Sequence, residues 1–203
     1  MEAIPRLHLI VDRGRAAHIA DLHERIDAAV RGGVGAVHAR AVEATAREAI
    51  AWARGCQSAV QGRAWLIVND RIDVAVALGA TGAQLGGRSL TLADARRAGP
   101  GLRFGCSVHT AEEARSAGSP DWLLVGTLFP TASHPGAVGS GVEIIRTTSA
   151  DGSPPCIGIG GITRENVRSI VKAGAYGIAV LSAILETEDP GRSAQEFRDV
   201  LDV

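Results

Sequence analysis

Eight short apolar runs divide the chain, and each is followed by a segment with helical periodicity or by a remnant of one. Strands at this spacing lie too far apart for hairpins and suit parallel pairs joined by crossover helices. The pattern predicts an α/β fold, a closed (β/α)8 barrel, with an open doubly wound sheet as the alternative. The predicted strands are Leu7 to Val11, Ala36 to Ala39, Trp65 to Val68, Ala83 to Leu85, Phe104 to Val108, Leu123 to Val125, Cys156 to Ile159 and Ile178 to Leu181.

Several segments between these runs carry signals for the start of a helix. Thr45 and Glu48 have the spacing of a capping box, which predicts a helix running from there to about Gln61. Thr110 and Thr163 are residues of a type that begins helices. The other predicted helices are Asp21 to Arg31, Ile72 to Leu78, Leu92 to Ala98, Ala111 to Ala117, Arg164 to Ala173 and Ser193 to Leu201, with a weak helix after a long loop at Thr127 to Gly141.

Composition and length limit the classes of protein that the chain can belong to. No linker or low-complexity tract interrupts the 203 residues, so we expect a single domain over residues 1–203. Hydrophobic residues at 46% and charged residues at 21% exclude intrinsic disorder. A net charge of -1 without a basic run argues against nucleic acid as a partner. Lys172 is the only lysine, which excludes most Schiff-base chemistry.

Three features indicate a cytoplasmic protein. The three cysteines are an odd and sparse set without C-x-x-C spacing, which is typical of reduced thiols. The N-terminus does not have the pattern of a signal peptide. No apolar stretch approaches the roughly 18 residues of a membrane span, so we expect no membrane partner.

Polar residues stand where the predicted strands end, although the strands themselves are apolar. In a barrel of this type the chemistry lies at the C-terminal ends of the strands, where these side chains would converge. We therefore take them as candidates for the functional site. They are His38, Arg40, Asn69, Asp70, Gln84, Ser107, His109, Thr127, Gly160, Gly161 and Ser182.

A phosphate site is predicted at the ends of the last two strands. The run Ile157 to Thr163 leads from a strand into Gly160 and Gly161, where exposed backbone N–H groups can bind an anion. Leu181 ends the eighth predicted strand, and Ser182 after it would direct a short helix start at the same anion. The alternative is that the two glycines only form a tight turn.

The second and third strands end in residues with two interpretations each. His38 and Arg40 are two apart and share a face, so Arg40 is a candidate anion clamp and His38 a candidate proton carrier. The alternative is a structural histidine beside a surface arginine. Asp70 fits a Mg²⁺ ligand, a base or a helix cap equally well.

The later strand ends offer further candidates. Ser107 is a candidate hydrogen-bond donor to substrate, whereas His109 is more consistent with orienting a helix start. The longest loop begins at Thr127, and loops of this kind at barrel mouths often act as lids. Within it Thr131, Ser133 and His134 are candidates for contact with an anionic substrate, the alternative being a loose exposed loop.

Taken in order, several motifs resemble the thiamin phosphate synthase/TenI family of small barrels over nearly the whole chain. Each motif is weak alone, but the series is specific to the superfamily. The motifs are Leu9 to Arg13, Val37 to Arg40, Val68 to Asp73, Gly82 to Gly86, Gly105 to Ala114, Val125 to Thr131, Ile157 to Gly161 and Ile178 to Ser182.

The resemblance implies one of two activities. The synthase joins a pyrimidine diphosphate to a thiazole phosphate, and its pattern has two metal-binding aspartates and a Gln-x-Arg-x-Lys run. Here Asp70 matches the first aspartate, but Ser89 stands at the second, and the run reads His38-Ala-Arg40-Ala-Val42. The lysine of this run is therefore absent. The family's long loop also has a Thr-Lys pair, and Ser133–His134 stands in its place, so that lysine is absent too.

TenI-type proteins instead isomerise a thiazole carboxylate phosphate, a proton transfer that needs an acid/base group and no metal. The sequence favours this branch, although Thr127 stands at its catalytic histidine. We expect His38 as the proton carrier, with His134 second. We expect no cofactor. Mg²⁺ bound at Asp70 is expected only if the protein is a synthase. The substrate-binding set is Arg40, Asn69, Asp70, Gln84, Ser107, Thr131 and Ser133.

Three other functions stay open from the sequence. The synthase is the first alternative, and a non-catalytic binder or regulator that retains the phosphate pocket is the second. A sugar-phosphate isomerase on the same barrel is a further possibility. By analogy with the family, the partner is a small thiazole phosphate and a homodimer is possible.

Overall fold

Eight parallel strands close into a barrel in chain order, with the last strand pairing with the first. The computed structural model describes residues 3–131, 139–149 and 153–202, so both ends of the predicted domain 1–203 lie outside the described residues. The predicted (β/α)8 fold is confirmed. The strands are β1 (Leu7–Asp12), β2 (Ala36–Arg40), β3 (Trp65–Asn69), β4 (Gly82–Leu85), β5 (Arg103–Val108), β6 (Trp122–Val125), β7 (Cys156–Ile159) and β8 (Gly177–Val180).

Helices follow the strands around the outside of the barrel. Within the described residues, a short additional helix follows β1 and another follows β8, and both lie at the mouth. The helices are α1 (Arg13–Ala16), α2 (Leu22–Arg31), α3 (Ala46–Val60), α4 (Ile72–Leu78), α5 (Leu92–Ala98), α6 (Ala111–Ser116), α7 (Glu143–Thr148), α8 (Val167–Lys172), α9 (Ser182–Leu185) and α10 (Pro190–Leu201).

The core has two layers because successive side chains of a strand point to opposite faces of the sheet. The larger layer lies between the strands and the helices. The smaller layer fills the barrel interior with residues such as Ile10, Trp65, Trp122 and Ile157. Polar His8, His38 and Gln84 are buried among them, so the interior is not purely apolar.

The predicted capping box is confirmed at the start of α3. The Thr45 side chain accepts from the backbone N–H of Glu48, and the Glu48 carboxylate accepts from the Thr45 N–H over 2.9 Å. Thr110 is confirmed as the cap of α6, where it accepts from the Glu113 N–H over 3.1 Å.

Two predicted helix starts are wrong. α8 begins at Val167 rather than Arg164, and its N-cap is Asn166 rather than Thr163. The Asn166 side chain accepts from the Thr163 N–H and donates to the Gly161 carbonyl, both over 2.9 Å. These bonds hold the segment in a turn that is anchored to the glycine pair, so the helix starts later.

The last helix begins earlier than predicted, at Pro190 instead of Ser193. Asp189 caps it by accepting from the Arg192 N–H over 2.9 Å, and Pro190 occupies the first turn, where a missing N–H has no cost. Among the described residues, none of the helices is long and apolar enough to cross a membrane.

Candidate functional site

Two adjoining cavities open at the C-terminal ends of the strands. The larger has a volume of about 340 Å³ and the smaller about 220 Å³. Both are lined by Arg40, Asn69 and Ser107, which come from β2, β3 and β5. The mouth is therefore one continuous site with two separate ends.

The larger cavity ends at the predicted phosphate residues, since Gly160, Gly161, Leu181 and Ser182 all line it. Gly160 and Gly161 have φ values of +100° and +61°, which residues other than glycine rarely adopt. A Cβ at Gly160 would come within 2.6 Å of Thr127. The close contact between the backbone of residue 160 and Thr127 therefore requires glycine at this position.

Backbone donors are free at this end of the cavity. Within the described part of the chain, the N–H groups of Gly161 and Ser182 donate to no backbone carbonyl. Ser182 is the first residue of α9, where N–H groups have no partner in the helix. Two N–H donors beside one cavity can receive the oxygens of a phosphate.

Two arginines, from α1 and β2, line the larger cavity. The Asp12 carboxylate pairs with Arg40 and also caps α1 by accepting from the Arg15 N–H over 3.2 Å. The Arg15 side chain lines the cavity and pairs with Glu186 over 3.1 Å. The sequence prediction missed Asp12 and Arg15. An acid at the end of β1 with an arginine three residues later was the available signal.

The smaller cavity ends at Asp70 and Arg88. Oδ1 of Asp70 accepts from the Ser89 hydroxyl and from the Gly86 N–H, the latter over 3.2 Å. Asp70 itself has a φ of +63°, a left-handed conformation that aspartate tolerates. The loop after β4 thus holds one oxygen of the carboxylate, and Oδ2 has no partner among the described residues.

The donor set at this end limits how a metal could be held. Among the described residues there is no group of three His, Cys, Asp or Glu side chains that could hold a metal ion. Mg²⁺ usually keeps several waters and binds one or two carboxylates together with substrate phosphates. The free oxygen of Asp70 fits that role beside a bound diphosphate, with Ser89 as a neutral neighbour.

Two consecutive buried hydrogen bonds determine the direction in which the Ser107 hydroxyl can donate its proton. The Trp122 indole N–H donates to Gln84 Oε1 over 2.8 Å, and Gln84 Nε2 donates to the Ser107 hydroxyl over 3.0 Å. An indole is only a donor, so the two ends of the Gln84 amide are assigned. The Ser107 hydroxyl accepts from below and can donate its own proton into the cavity. Gln84 lines neither cavity, and its predicted contact with substrate stays a prediction.

His38 lies one layer beneath the cavities rather than in their walls. It is fully buried, and its Nε2 lies 2.9 Å from Nδ1 of His8. Burial lowers the pKa of His38 well below its usual value, and the neighbouring His8 acts in the same direction, whereas the Asn69 side chain opposes them. Both rings are therefore neutral near pH 7. The predicted catalytic role of His38 stays a prediction.

The remaining predicted residues are distributed around the larger cavity. Thr127 and Thr131 line it, as does His109, whose backbone N–H donates to Glu113 over 2.6 Å. Ser133 and His134 lie outside the described residues. Their predicted contacts with substrate therefore stay predictions.

Comparison with known proteins identifies a family. The model of the family described as thiamine monophosphate synthase matches residues 7–184. The chain is 35% identical to a thiamine-phosphate synthase of Coprothermobacter proteolyticus, covering 97% of this chain and 94% of the relative. It is 36% identical to one of Koribacter versatilis, covering 98% and 96%.

Solved structures agree with this assignment. The thiamine phosphate pyrophosphorylase of Pyrococcus furiosus has a TM-score of 0.84 and 32% identity, covering 97% of this chain and 95% of that one. The 3-hexulose-6-phosphate synthase of Salmonella typhimurium has a TM-score of 0.70 at 16% identity, covering 97% and 98%. The second likeness concerns the fold alone.

Proposed function

Because the chain belongs to the thiamine monophosphate synthase family, we propose that it joins a pyrimidine diphosphate to a thiazole phosphate and releases pyrophosphate. The relatives support this activity, which the sequence had ranked second, better than the isomerase that it had ranked first. The observation that carries the proposal is the two-ended mouth. An isomerase needs room for one phosphorylated ligand, whereas a synthase must hold two phosphorylated ligands at once.

The larger cavity suits the thiazole phosphate. Its phosphate would accept from the N–H groups of Gly161 and Ser182, with Arg15 adding positive charge nearby. The ring would then lie toward Arg40, Asn69 and Ser107, where the two cavities join.

The smaller cavity suits the diphosphate. Arg40 and Arg88 supply charge to its oxygens, and the Ser107 hydroxyl donates a hydrogen bond. When the bond to the diphosphate breaks, negative charge grows on the leaving oxygens, and donors already in place stabilise it. Mg²⁺, held through Asp70, would supply further positive charge to the leaving group.

The direct experiment supplies the purified protein with both substrates. We expect thiamine phosphate and pyrophosphate to form in equal amounts, with a rate that rises with Mg²⁺. Asp70→Asn should remove the Mg²⁺ dependence and most of the rate, whereas Asp199→Asn, exposed near the C-terminal end of α10, is a matched control that lines neither cavity. Absence of product with both substrates and Mg²⁺ would refute the proposal.

Isomerisation of a thiazole carboxylate phosphate is the second candidate. The observation that favours it is the single carboxylate at the smaller cavity, where Ser89 stands beside Asp70. It predicts turnover of that one ligand without Mg²⁺. Binding of the phosphate by calorimetry, with turnover in neither assay, would instead support a non-catalytic binder.

Two further properties remain predictions from the sequence. We expect a cytoplasmic location, which imaging of a tagged chain tests, and a homodimer, which light scattering tests through the mass in solution.

A further inference from the structure

We propose that the buried His8–His38 pair is a positioning device for Asn69, which turns the Asn69 amide so that Nδ2 faces His38 and Oδ1 faces the cavity. The direction of each hydrogen bond can be followed from the closed end of the barrel to the mouth. In naming the ligand that Asn69 meets, we rely on the proposed function.

The chain of bonds starts at a backbone carbonyl. Nε2 of His8 lies 2.9 Å from the Pro5 carbonyl oxygen. A carbonyl only accepts, so Nε2 of His8 carries a proton. A neutral imidazole has one N–H, and Nδ1 of His8 is therefore an acceptor.

The second histidine follows from the first. Nδ1 of His8 lies 2.9 Å from Nε2 of His38, so His38 donates through Nε2 and keeps a lone pair on Nδ1. Charged rings would alter these directions, but both rings are fully buried. Burial lowers the pKa of His8 to about 4, an effect that exceeds the opposing one of its bond to Pro5.

Two buried acceptors then lie below the mouth, on the neighbouring strands β2 and β3. Among the described residues, Nδ1 of His38 and Oδ1 of Asn69 are buried without a hydrogen-bond partner. The Asn69 side chain is close enough to affect the pKa of His38, and it also lines both cavities. Two acceptors cannot satisfy one another, and buried unpaired polar atoms are costly. A half-turn of the amide brings Nδ2–H onto His38 Nδ1 and gives both atoms a favourable environment.

The consequence is an acceptor where the two cavities join. Asn69 would present Oδ1 to the ligand, next to Ser107, which presents a donor. Oδ1 repels phosphate oxygens, so it suits a hydrogen-donating group. That group is either an N–H of the pyrimidine substrate or a water bound to Mg²⁺ at Asp70. Asn69 thereby favours a hydrogen-donating group of the ligand over a phosphate oxygen at this position.

The protonation states can be measured without any activity. We expect long-range ¹H–¹⁵N correlation spectra of protein labelled in histidine to show His8 and His38 as neutral rings protonated at Nε2 between pH 6 and 8. His8→Gln and His38→Gln assign the two signals. A His38 ring protonated at Nδ1, or charged at pH 7, would overturn the inference whether or not the proposed synthase activity exists.

Substitutions test whether the pair acts through Asn69. His38→Leu removes the acceptor for Nδ2, so we expect kcat/KM to fall about tenfold, the effect of one misdirected hydrogen bond. His38→Gln can donate to His8 and accept from Asn69, so it should retain most of the activity. Equal losses in both folded variants would contradict a positioning role.

The same variants distinguish the two ligand groups. A higher KM for the pyrimidine diphosphate at saturating Mg²⁺ identifies the substrate N–H as the partner of Oδ1. A higher Mg²⁺ concentration for half-maximal rate identifies the metal-bound water. If His38→Leu fails to fold, or if the protein has no synthase activity, the spectra of the unaltered protein still decide the inference.

Discussion

At the scale of single residues, the polarity of Ser107 at the mouth is set by groups that line neither cavity. Ser107 becomes a donor because Gln84 and Trp122 occupy its acceptor side. Hydrogen bonds between such a hydroxyl and an anionic oxygen are stronger than neutral ones. The function of a residue at the mouth therefore depends on the layer below it.

Ser107→Ala tests this dependence. We expect kcat/KM for the pyrimidine diphosphate to fall between about tenfold and a hundredfold, because a charge-assisted hydrogen bond is lost. Steady-state kinetics measure the effect, and Ser58→Ala on the exposed side of α3 is the matched control. A change no greater than in the control would mean that Ser107 does not contact the reacting groups.

Asp70 and Ser89 allow a test in which a group is added to the site rather than removed. Ser89→Asp places a second carboxylate beside Asp70, so we expect the Mg²⁺ concentration for half-maximal rate to fall about tenfold. Titration of the rate with Mg²⁺ gives the number, and Ser89→Asn controls for size without charge. An unchanged Mg²⁺ titration would argue that no metal binds at Asp70.

At the scale of elements, the boundaries of strands followed from hydrophobic pattern and those of several helices from capping residues. β7 begins and ends where the sequence predicts, and Thr45 caps α3 as expected. The start of α8 was missed because Asn166 binds backward to Gly161, a tertiary contact that no local pattern contains.

The candidate site was only partly predictable for the same reason. Residues at strand ends, such as Arg40 and Ser107, could be found because a barrel brings those ends together. The pairing of His8 with His38 was not predicted, since it depends on two strands being neighbours. Arg15 was missed because it stands on a four-residue helix without a periodic pattern.

Two glycines give a stability test at this scale. A Cβ at Gly105 in β5 would overlap the Trp122 indole and the Gln84 amide, so Gly105→Ala should cost roughly 3 kcal/mol or more. Gly55 in α3 has nothing within 4 Å of a Cβ, so Gly55→Ala should stabilise by about 0.5 to 1 kcal/mol. Urea unfolding compares the two, and equal effects would contradict the packing around Gly105.

At the scale of the whole molecule, the buried histidine pair makes the stability of the barrel depend on pH. The pKa of His8 is about 4 in the folded protein because of burial, against about 6.5 in an unfolded chain, and burial also lowers that of His38. The unfolded chain therefore binds more protons below about pH 6.5, and stability is lost as the pH falls through that value.

The expected loss can be measured directly. Between pH 7 and pH 5 the free energy of unfolding should fall by roughly 2 kcal/mol from His8, whose pKa is about 4, and further from His38, whose pKa is lowered in the same direction. Carboxylates with a lowered pKa, such as Glu48 beside the Thr45 N–H, lose their contribution only at lower pH. Urea unfolding at each pH should show a smaller dependence of stability on pH in His38→Gln than in the unaltered protein. A flat profile over this range would mean that the two rings are not buried as neutral groups.

In a barrel filled only with aliphatic side chains, the interior could not determine which groups at the mouth donate or accept hydrogen bonds. Here two chains of hydrogen bonds, from Pro5 through His8 to His38 and from Trp122 through Gln84 to Ser107, run through the interior toward the mouth. We therefore expect substrate preference to respond to the exchange of residues that line neither cavity. Searches for altered specificity in this protein have a second set of positions to sample, hidden under the first.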